Sequence, residues 1–209
     1  MVMTSVMVGI NNGIYQKLLT EVPTLIHIPC VCHSLQLAVS AAAGSTLPRN
    51  IEFLIKEAYN WFAHSTLRQA QYRNLFKAIN DNHNPFKIVK SCDNRWLLIE
   101  TAVGRILKQW VELKTLFSIV RQKEKCYTAE IFFGMYNDNN NLAYLTFLHP
   151  ILLEIQLVNK SFESNNADPC KLLSDLTLLV RSVAKRFVNP YCRKDPLTTN
   201  MDSYSSNGF

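Results

Sequence analysis

Three residues that can bind a metal ion or act as nucleophiles stand together near the start of the chain, in the stretch IPCVCHSLQL: Cys30, Cys32 and His33. A structural zinc site usually has four ligands, arranged as pairs of Cys or His two to four residues apart. This cluster supplies three ligands within four residues, and no second pair follows it. We therefore predict no metal site here.

A reactive thiol is the second chemistry that this cluster suggests. Nucleophilic cysteines need a nearby base and surroundings that stabilise the thiolate. His33 is only three residues from Cys30, but the sequence offers no third group that would orient it. We expect Cys30 to pack as a small apolar group and His33 to form hydrogen bonds at the start of a helix.

The composition is that of a folded protein. Hydrophobic residues make up 48% of the 209 residues, the usual share for a globular domain. No continuous apolar run reaches the ~18 residues of a membrane span, and no signal peptide is recognisable. The six cysteines are scattered, so we expect reduced, buried thiols in a soluble intracellular protein without membrane partners.

Positive charge is concentrated in the first 125 residues. They hold 15 basic against 8 acidic residues, a net charge of +7, whereas the remaining 84 residues hold 7 against 8, a net charge of −1. Such an imbalance favours a polyanion as partner, because cationic side chains neutralise phosphates and release their counterions. A basic face that is merely solvated is the alternative, and charge alone does not choose between the two.

Six basic residues form the best candidate surface for a polyanion. They flank a loop rich in Asn, Asp and Pro at 80–85, and only Asp81 and Asp93 oppose them. The six are Arg68, Arg73, Lys77, Lys87, Lys90 and Arg95. Because no aromatic residue alternates with them as a stacking surface for single strands requires, the pattern indicates at most sequence-independent binding.

Hydrophobic periodicity predicts helices for most of the chain. Pro150 either kinks one helix or starts a second, and Pro169 follows an N-cap, Asp168. The predicted helical segments are 12–21, 35–42, 51–62, 68–77, 94–121, 127–137, 142–148, 151–162 and 169–187.

Strand signals are confined to 25–28 and 88–90, and a lone strand needs partners to pair its backbone groups. We predict a mainly α fold with one or two short strands.

The clearest pattern is an apolar seam with alternating steps of three and four residues. It predicts one helix over 94–121, about 40 Å long at 1.5 Å per residue, with a polar and mostly basic opposite face. The seam consists of Trp96, Ile99, Val103, Ile106, Trp110, Leu113, Phe117 and Val120.

Five segments, in order along the chain, resemble the transposase domain of the hAT superfamily of cut-and-paste DNA transposases and the host genes derived from them. They are SVMVGINNG (5–13), IPCVCHSLQLAV (28–39), WFAHSTLR (61–68), NRW (94–96) and LTFLHPILLEIQLVNKSFES (145–164). The resemblance implies a ribonuclease-H-like fold interrupted by an all-helical insertion. We therefore divide the chain into a partial ribonuclease-H-like α/β segment (1–48), a helical insertion region (49–189) and a disordered tail (190–209).

Enzymes of that superfamily hold two divalent metal ions with two Asp and one Glu. Aligning Ser5 with the serine of the family pattern puts Val2 where the second Asp should stand. The other two carboxylates would lie before Met1 and beyond the insertion. We therefore predict that the chain is not an enzyme and uses no cofactor.

The resemblance also implies roles for individual residues. Cys30-x-x-His33 matches a Cys-x-x-His of the family, which places His33 near bound DNA in an intact relative. Arg95-Trp96 matches an Arg-Trp pair whose Trp stacks on a displaced base at the DNA end. Trp96 also begins the apolar seam, so a role in the core is the alternative, while Arg95 could contact phosphate.

Together these patterns predict a nuclear, non-catalytic, hAT-transposase-derived protein with weak, sequence-independent DNA binding. The candidate DNA-binding residues are His33, Arg68, Arg73, Lys77, Lys87, Lys90, Arg95 and Trp96. The alternative is a helical protein-interaction or self-association module that uses the apolar faces of 94–121 and 169–187, and a third is a fragment that folds poorly. No segment matches the zinc-finger module or the dimerisation segment of the family, so the sequence indicates neither a DNA sequence preference nor an oligomeric state.

Overall fold

The computed structural model describes residues 13–26, 30–89, 97–163 and 168–187, and these residues form a helical bundle. Their helices, in chain order, are α1 (Ile14–Glu21), α2 (Val31–Thr46), α3 (Arg49–Ala63), α4 (Thr66–Ile79), α5 (Leu97–Lys108), α6 (Trp110–Glu124), α7 (Tyr127–Asn137), α8 (Asn139–Phe162) and α9 (Pro169–Phe187).

The predicted ribonuclease-H-like α/β segment and its strands are wrong. Leu25 and Ile26 connect α1 to α2 without strand pairing, Ile88 and Val89 are likewise irregular, and the described ranges contain no strand. β-branched residues favour a pleated surface only where a neighbouring strand supplies hydrogen bonds. No such edge exists in the described part of the chain, so these short segments serve as connectors. Residues 27–28 and 90 lie outside it, as does the tail from 190.

The helices predicted at 51–62 and 68–77 are confirmed as α3 and α4. All members of the apolar stripe on α3 are buried, and they are Ile51, Leu54, Ile55, Ala58 and Phe62. The break at 64–65 is also present, because the Ser65 side chain accepts a hydrogen bond from the backbone N–H of Arg68 at 3.2 Å and caps α4.

The single 40 Å helix predicted for 94–121 is wrong, because the chain forms two helices, α5 and α6, that meet at Gln109. The backbone of Gln109 leaves the helical region (φ −123°, ψ 21°), and its N–H donates to Ile106 O, three residues back, at 3.2 Å. From Ile99 to Val120 the seam residues are buried as predicted. Trp96 lies outside the described residues. The two halves of the seam have different main partners, since α5 packs chiefly on α8 and α6 on α7.

Aromatic rings from α3, α6 and α7 fill the centre of the bundle. Phe117 stacks on Phe132 and Tyr136, with ring centroids 4.5 and 5.4 Å apart, and Trp61 meets Phe117 edge-on at 5.3 Å. Such offset and edge contacts add to the stabilisation that comes from burying the ring surface. This cluster fixes the relative positions of the three helices.

Pro150 lies inside one continuous helix, α8, so this proline does not start a second helix. By length and composition alone α8 is apolar enough to cross a membrane. It packs against α5 and α9, and its residues Leu145, Ile151 and Leu152 are buried. Only 28% of its apolar window is buried within the described residues, and Phe147, Leu153 and Leu157 are exposed.

A glycine permits the close approach of α5 and α8. A Cβ on Gly104 would stand 2.8 Å from His149 Nε2, and His149 Nε2 lies 3.1 Å from Glu100 Oε1. The His149–Glu100 contact therefore occupies the space that a larger residue at position 104 would need.

Two buried tyrosines make the fold sensitive to alkaline pH. The hydroxyl of Tyr136 is buried and has no hydrogen-bond partner among the described residues, while that of Tyr72 donates to Gln109 Oε1 at 3.0 Å. Burial raises the pKa of both phenols well above the ordinary value, because the phenolate would lose its hydration.

We expect the free energy of unfolding to fall as the pH rises above about 10, where tyrosines of the unfolded chain ionise. The folded state keeps both phenols protonated, so each contributes a loss of about 1.4 kcal/mol per pH unit. Urea unfolding followed by circular dichroism between pH 8 and 11 measures this slope. Tyr136→Phe removes one of the two titrating phenols, so the slope of the free energy of unfolding against pH should become smaller. It also removes a buried hydroxyl that has no hydrogen-bond partner among the described residues, so it should raise stability at pH 8 by about 1 kcal/mol. An unchanged slope in Tyr136→Phe would contradict this account.

Candidate nucleic-acid interface

The loop that follows α4 lies against α3 and α4 and leaves a groove of about 570 Å³. Tyr59, Phe62, Tyr72 and Phe86 supply its aromatic walls, and Arg73 and Lys87 supply positive charge. We call this concavity the aromatic groove. Two amides, Gln69 and Asn84, also line it, and no Asp or Glu is among the described residues that do so.

Short polar residues reverse the chain after α4 and so create the groove. Asp81 and Asn82 adopt left-handed backbone conformations, with φ of 45° and 63°, which Asn and Asp tolerate better than other non-glycine residues. The N–H of Asn82 donates to Lys77 O at 2.9 Å, and that of His83 donates to Asn80 O at 2.8 Å. The loop predicted at 80–85 is thereby confirmed, and it is held by its own hydrogen bonds.

Gln109 fixes the floor of the aromatic groove. Its side chain is completely buried, and its Nε2 donates to Phe86 O at 3.0 Å and to Arg105 O at 3.1 Å. Its Oε1 accepts from the Tyr72 hydroxyl at 3.0 Å. One side chain therefore joins the loop, α4 and the end of α5, and the same contacts hold the break between α5 and α6.

A second connection holds the start of the loop. Asn80 Nδ2 donates to Glu112 Oε1 at 2.8 Å. Glu112 is buried, although it belongs to the polar face that was predicted opposite the apolar seam of 94–121. Burial first, and the Glu112 charge second, raise the pKa of Tyr72. The Tyr72 hydroxyl therefore remains a hydrogen-bond donor to Gln109 even in alkaline solution in which an ordinary tyrosine would ionise.

Two further cations stand over the ring of Phe86. The guanidinium carbon of Arg105 is 4.9 Å from the ring centroid and Lys108 Nζ is 5.5 Å from it, both within the range of cation–π attraction. Neither residue was among the predicted DNA-binding residues, although the basic bias on the polar face of 94–121 was a signal for them. Arg73 and Lys87 thus line the aromatic groove itself, and Arg105 and Lys108 lie over the ring of one of its wall residues.

The predicted basic surface is divided rather than continuous. Arg73 and Lys87 meet at the aromatic groove, and Lys77 lies one helical turn beyond Arg73. Arg68 is not among the lining residues. Its guanidinium lies 3.6 Å from the centroid of the Trp61 ring and 3.5 Å from Glu124.

The lack of aromatic residues that alternate with the charges along the sequence does not extend to the folded chain. Four rings that are scattered along the sequence line the same groove as Arg73 and Lys87, because the loop folds back over α3 and α4. Lys90, Arg95 and Trp96 lie outside the described residues, so their predicted roles remain predictions.

The Cys-His cluster lies at the start of α2, on elements that do not line the aromatic groove. Cys30 is exposed at the N-cap position, so the prediction that it packs as an apolar group is wrong. Cys32 is half-buried with its Sγ 4.0 Å from Asn159 O, and burial raises its pKa. His33 Nε2 is buried without a hydrogen-bond partner in the described ranges. The role of His33 in DNA binding stays a prediction.

Comparison with protein-family models, with curated proteins and with solved structures finds no match for this chain. The arrangement of the aromatic groove is therefore the basis for a functional proposal.

Proposed function

We propose that this chain is a non-catalytic protein that binds nucleic acid without sequence preference, through the aromatic groove and the cations beside it. The observation that carries the proposal is that Arg73 and Lys87 line one concavity whose described lining has no acidic residue, while Arg105 and Lys108 lie over Phe86, one of its walls. The resemblance to hAT transposases supports DNA as the nucleic acid and the nucleus as its location.

Electrostatics favours phosphate as the group that these cations bind. Arg73 and Lys87 are exposed and form no ion pair with another residue of the described ranges, whereas Arg68 already contacts Glu124. Binding of this kind is driven by counterion release and is weak at physiological salt, with dissociation constants of roughly 10⁻⁴ to 10⁻⁶ M. A weak, strongly salt-dependent affinity is therefore the expected signature.

Removing two groove cations should weaken binding and also reduce its salt dependence. For Arg73→Ala/Lys87→Ala we expect about a tenfold loss of affinity for a short DNA duplex at low salt. Each lost phosphate contact should lower the slope of log K against log salt by roughly 0.9. Fluorescence anisotropy at a series of salt concentrations measures both quantities.

Two exposed lysines on α9 provide a matched control. Lys171→Ala/Lys185→Ala removes the same charge from a helix that packs on α8. This control should keep both the affinity and the slope of the wild type to within about twofold. Equal losses in both double variants would mean that total charge, rather than the groove, determines binding, and the proposal would fail.

Self-association through α9 is the second candidate function. Leu173, Leu178 and Phe187 are 71%, 59% and 61% exposed on this helix, whereas the described part of the 94–121 seam is buried in the core and is not free for a partner. Sedimentation equilibrium without nucleic acid separates the two candidates. Concentration-dependent assembly with no salt-dependent DNA binding would favour the second.

A further inference from the structure

Four aromatic side chains meet in the aromatic groove, which is more than phosphate binding requires. Phe62 and Tyr72 form a nearly buried floor, with ring centroids 5.1 Å apart. Phe86 is 45% exposed and Tyr59 is half-buried, so both present ring surface to the groove that they line. A site for phosphate alone would not need this apolar surface.

We infer that the aromatic groove takes an unpaired base of a single-stranded nucleic acid, while Arg73 and Lys87 neutralise the phosphates on either side of it. This inference rests on the proposed function and names the ligand of the same site. Every base has a π face, so base–aromatic stacking combined with a basic rim gives binding that tolerates any sequence. The stacking surface is supplied by Tyr59 and by the part of the Phe86 ring that lines the groove, while Arg105 and Lys108 lie over the same ring.

The dimensions of the groove favour a single strand over a duplex. Its volume of about 570 Å³ lies in the range of pockets that enclose a small ligand. A duplex keeps its bases stacked inside and presents phosphates, so it can reach the cations at the rim but cannot fill the groove unless a base leaves the stack. Single strands should therefore gain contacts that duplexes do not.

Charge favours nucleic acid over an apolar peptide as the occupant. Arg73 and Lys87 line the groove, Arg105 and Lys108 stand over Phe86, and no acidic residue among the described lining neutralises them. An apolar peptide would leave these cations without partners. An acidic peptide would satisfy the charges, and it is one of the outcomes that the experiment separates.

The groove is preformed, which lowers the cost of binding. Gln109 connects the Phe86 backbone to Tyr72 through hydrogen bonds of 3.0 Å on both sides. A loop held in this way does not have to be ordered when a ligand enters.

The test compares four labelled probes of about 12 nucleotides by fluorescence anisotropy: oligothymidylate, oligouridylate, an abasic strand of the same length and a DNA duplex. For Phe86→Ala and Phe86→Leu we expect roughly tenfold weaker binding of the two strands that carry bases. Binding of the abasic strand and of the duplex should change less than twofold. The matched control is Tyr127→Ala, which removes an aromatic residue that is 80% exposed at the start of α7, and it should leave all four affinities unchanged.

The outcomes separate this inference from the proposed function. If the abasic strand binds the wild type as tightly as oligothymidylate, or if the Phe86 variants weaken all four probes equally, the base-binding inference fails while phosphate binding stands. If no probe binds, both fail. Competition with poly-glutamate identifies the remaining case, because an acidic polymer that binds in a Phe86-dependent way while nucleic acids do not would overturn both in favour of an acidic peptide.

Discussion

Replacement of Phe117 by alanine is expected to lower the free energy of unfolding by about 3–5 kcal/mol. The Phe117 side chain is completely buried, and its ring contacts Phe132, Tyr136 and Trp61 at centroid distances of 4.5, 5.4 and 5.3 Å. The substitution removes apolar surface and leaves a cavity bordered by these rings. Large, rigid aromatic groups held on two other helices cannot move together to fill it.

Urea unfolding of Phe117→Ala measures this loss, provided that the transition is two-state. Since typical domains are stable by only 5–15 kcal/mol, this single change should shift the midpoint strongly. The control is Phe147→Ala on α8, which removes a ring that is 45% exposed and contacts Phe187. We expect that control to cost about 1 kcal/mol or less. Similar losses of unfolding free energy in the two variants would contradict the claim that the rings around Phe117 form the stabilising centre of the bundle.

Replacement of Gln109 by leucine should destabilise the protein by about 2–4 kcal/mol and also weaken single-strand binding. Leucine leaves the Tyr72 hydroxyl without its acceptor and the Phe86 carbonyl without its donor, and each unsatisfied buried group costs roughly 1–3 kcal/mol. The connection from the Phe86 backbone through Gln109 to Tyr72 on α4 is then lost, and of the loop's described hydrogen bonds only those at its start remain. Affinity for oligothymidylate should fall severalfold, because the groove would have to be ordered on binding.

A double-mutant cycle with Tyr72→Phe tests whether these groups act together. Tyr72→Phe alone leaves Gln109 Oε1 without a donor, so it should cost about 1 kcal/mol. Combined with Gln109→Leu it should add little, since the shared hydrogen bond is already lost. Strictly additive losses would show that the two side chains do not interact, and the account of the groove floor would be wrong.

Local periodicity predicted most of the helices because the apolar residues of each helix face are close together in the sequence. The stripe on α3 and the cap at Ser65 need no information from distant residues. The break at Gln109 could not be predicted in this way, since glutamine is a good helix former and the seam continues across it. Its cause is tertiary, because the Gln109 side chain bonds to Tyr72 and Phe86 on other parts of the chain.

The candidate site was only half predictable for the same reason. The charges of Arg73 and Lys87 were visible in the sequence, because a basic segment next to an Asn-rich loop is a local pattern. Tyr59 lies on α3 and Phe86 in the loop after α4, and nothing in the sequence indicates that these two rings line the same groove. The strand predicted near residue 25 is wrong because a local β preference gives a strand only where a second strand pairs with it, and the described residues contain no such partner.

The junction at Gln109 links the groove to the arrangement of the whole bundle. α5 with α8 and α6 with α7 form two helix pairs, and Gln109 lies where α5 passes into α6 while its side chain holds the groove floor. A change in the angle between α5 and α6 would therefore alter the hydrogen bonds on which the groove depends. If a ligand of the groove binds one such angle more tightly, a contact that favours this angle raises the ligand's affinity by the same factor.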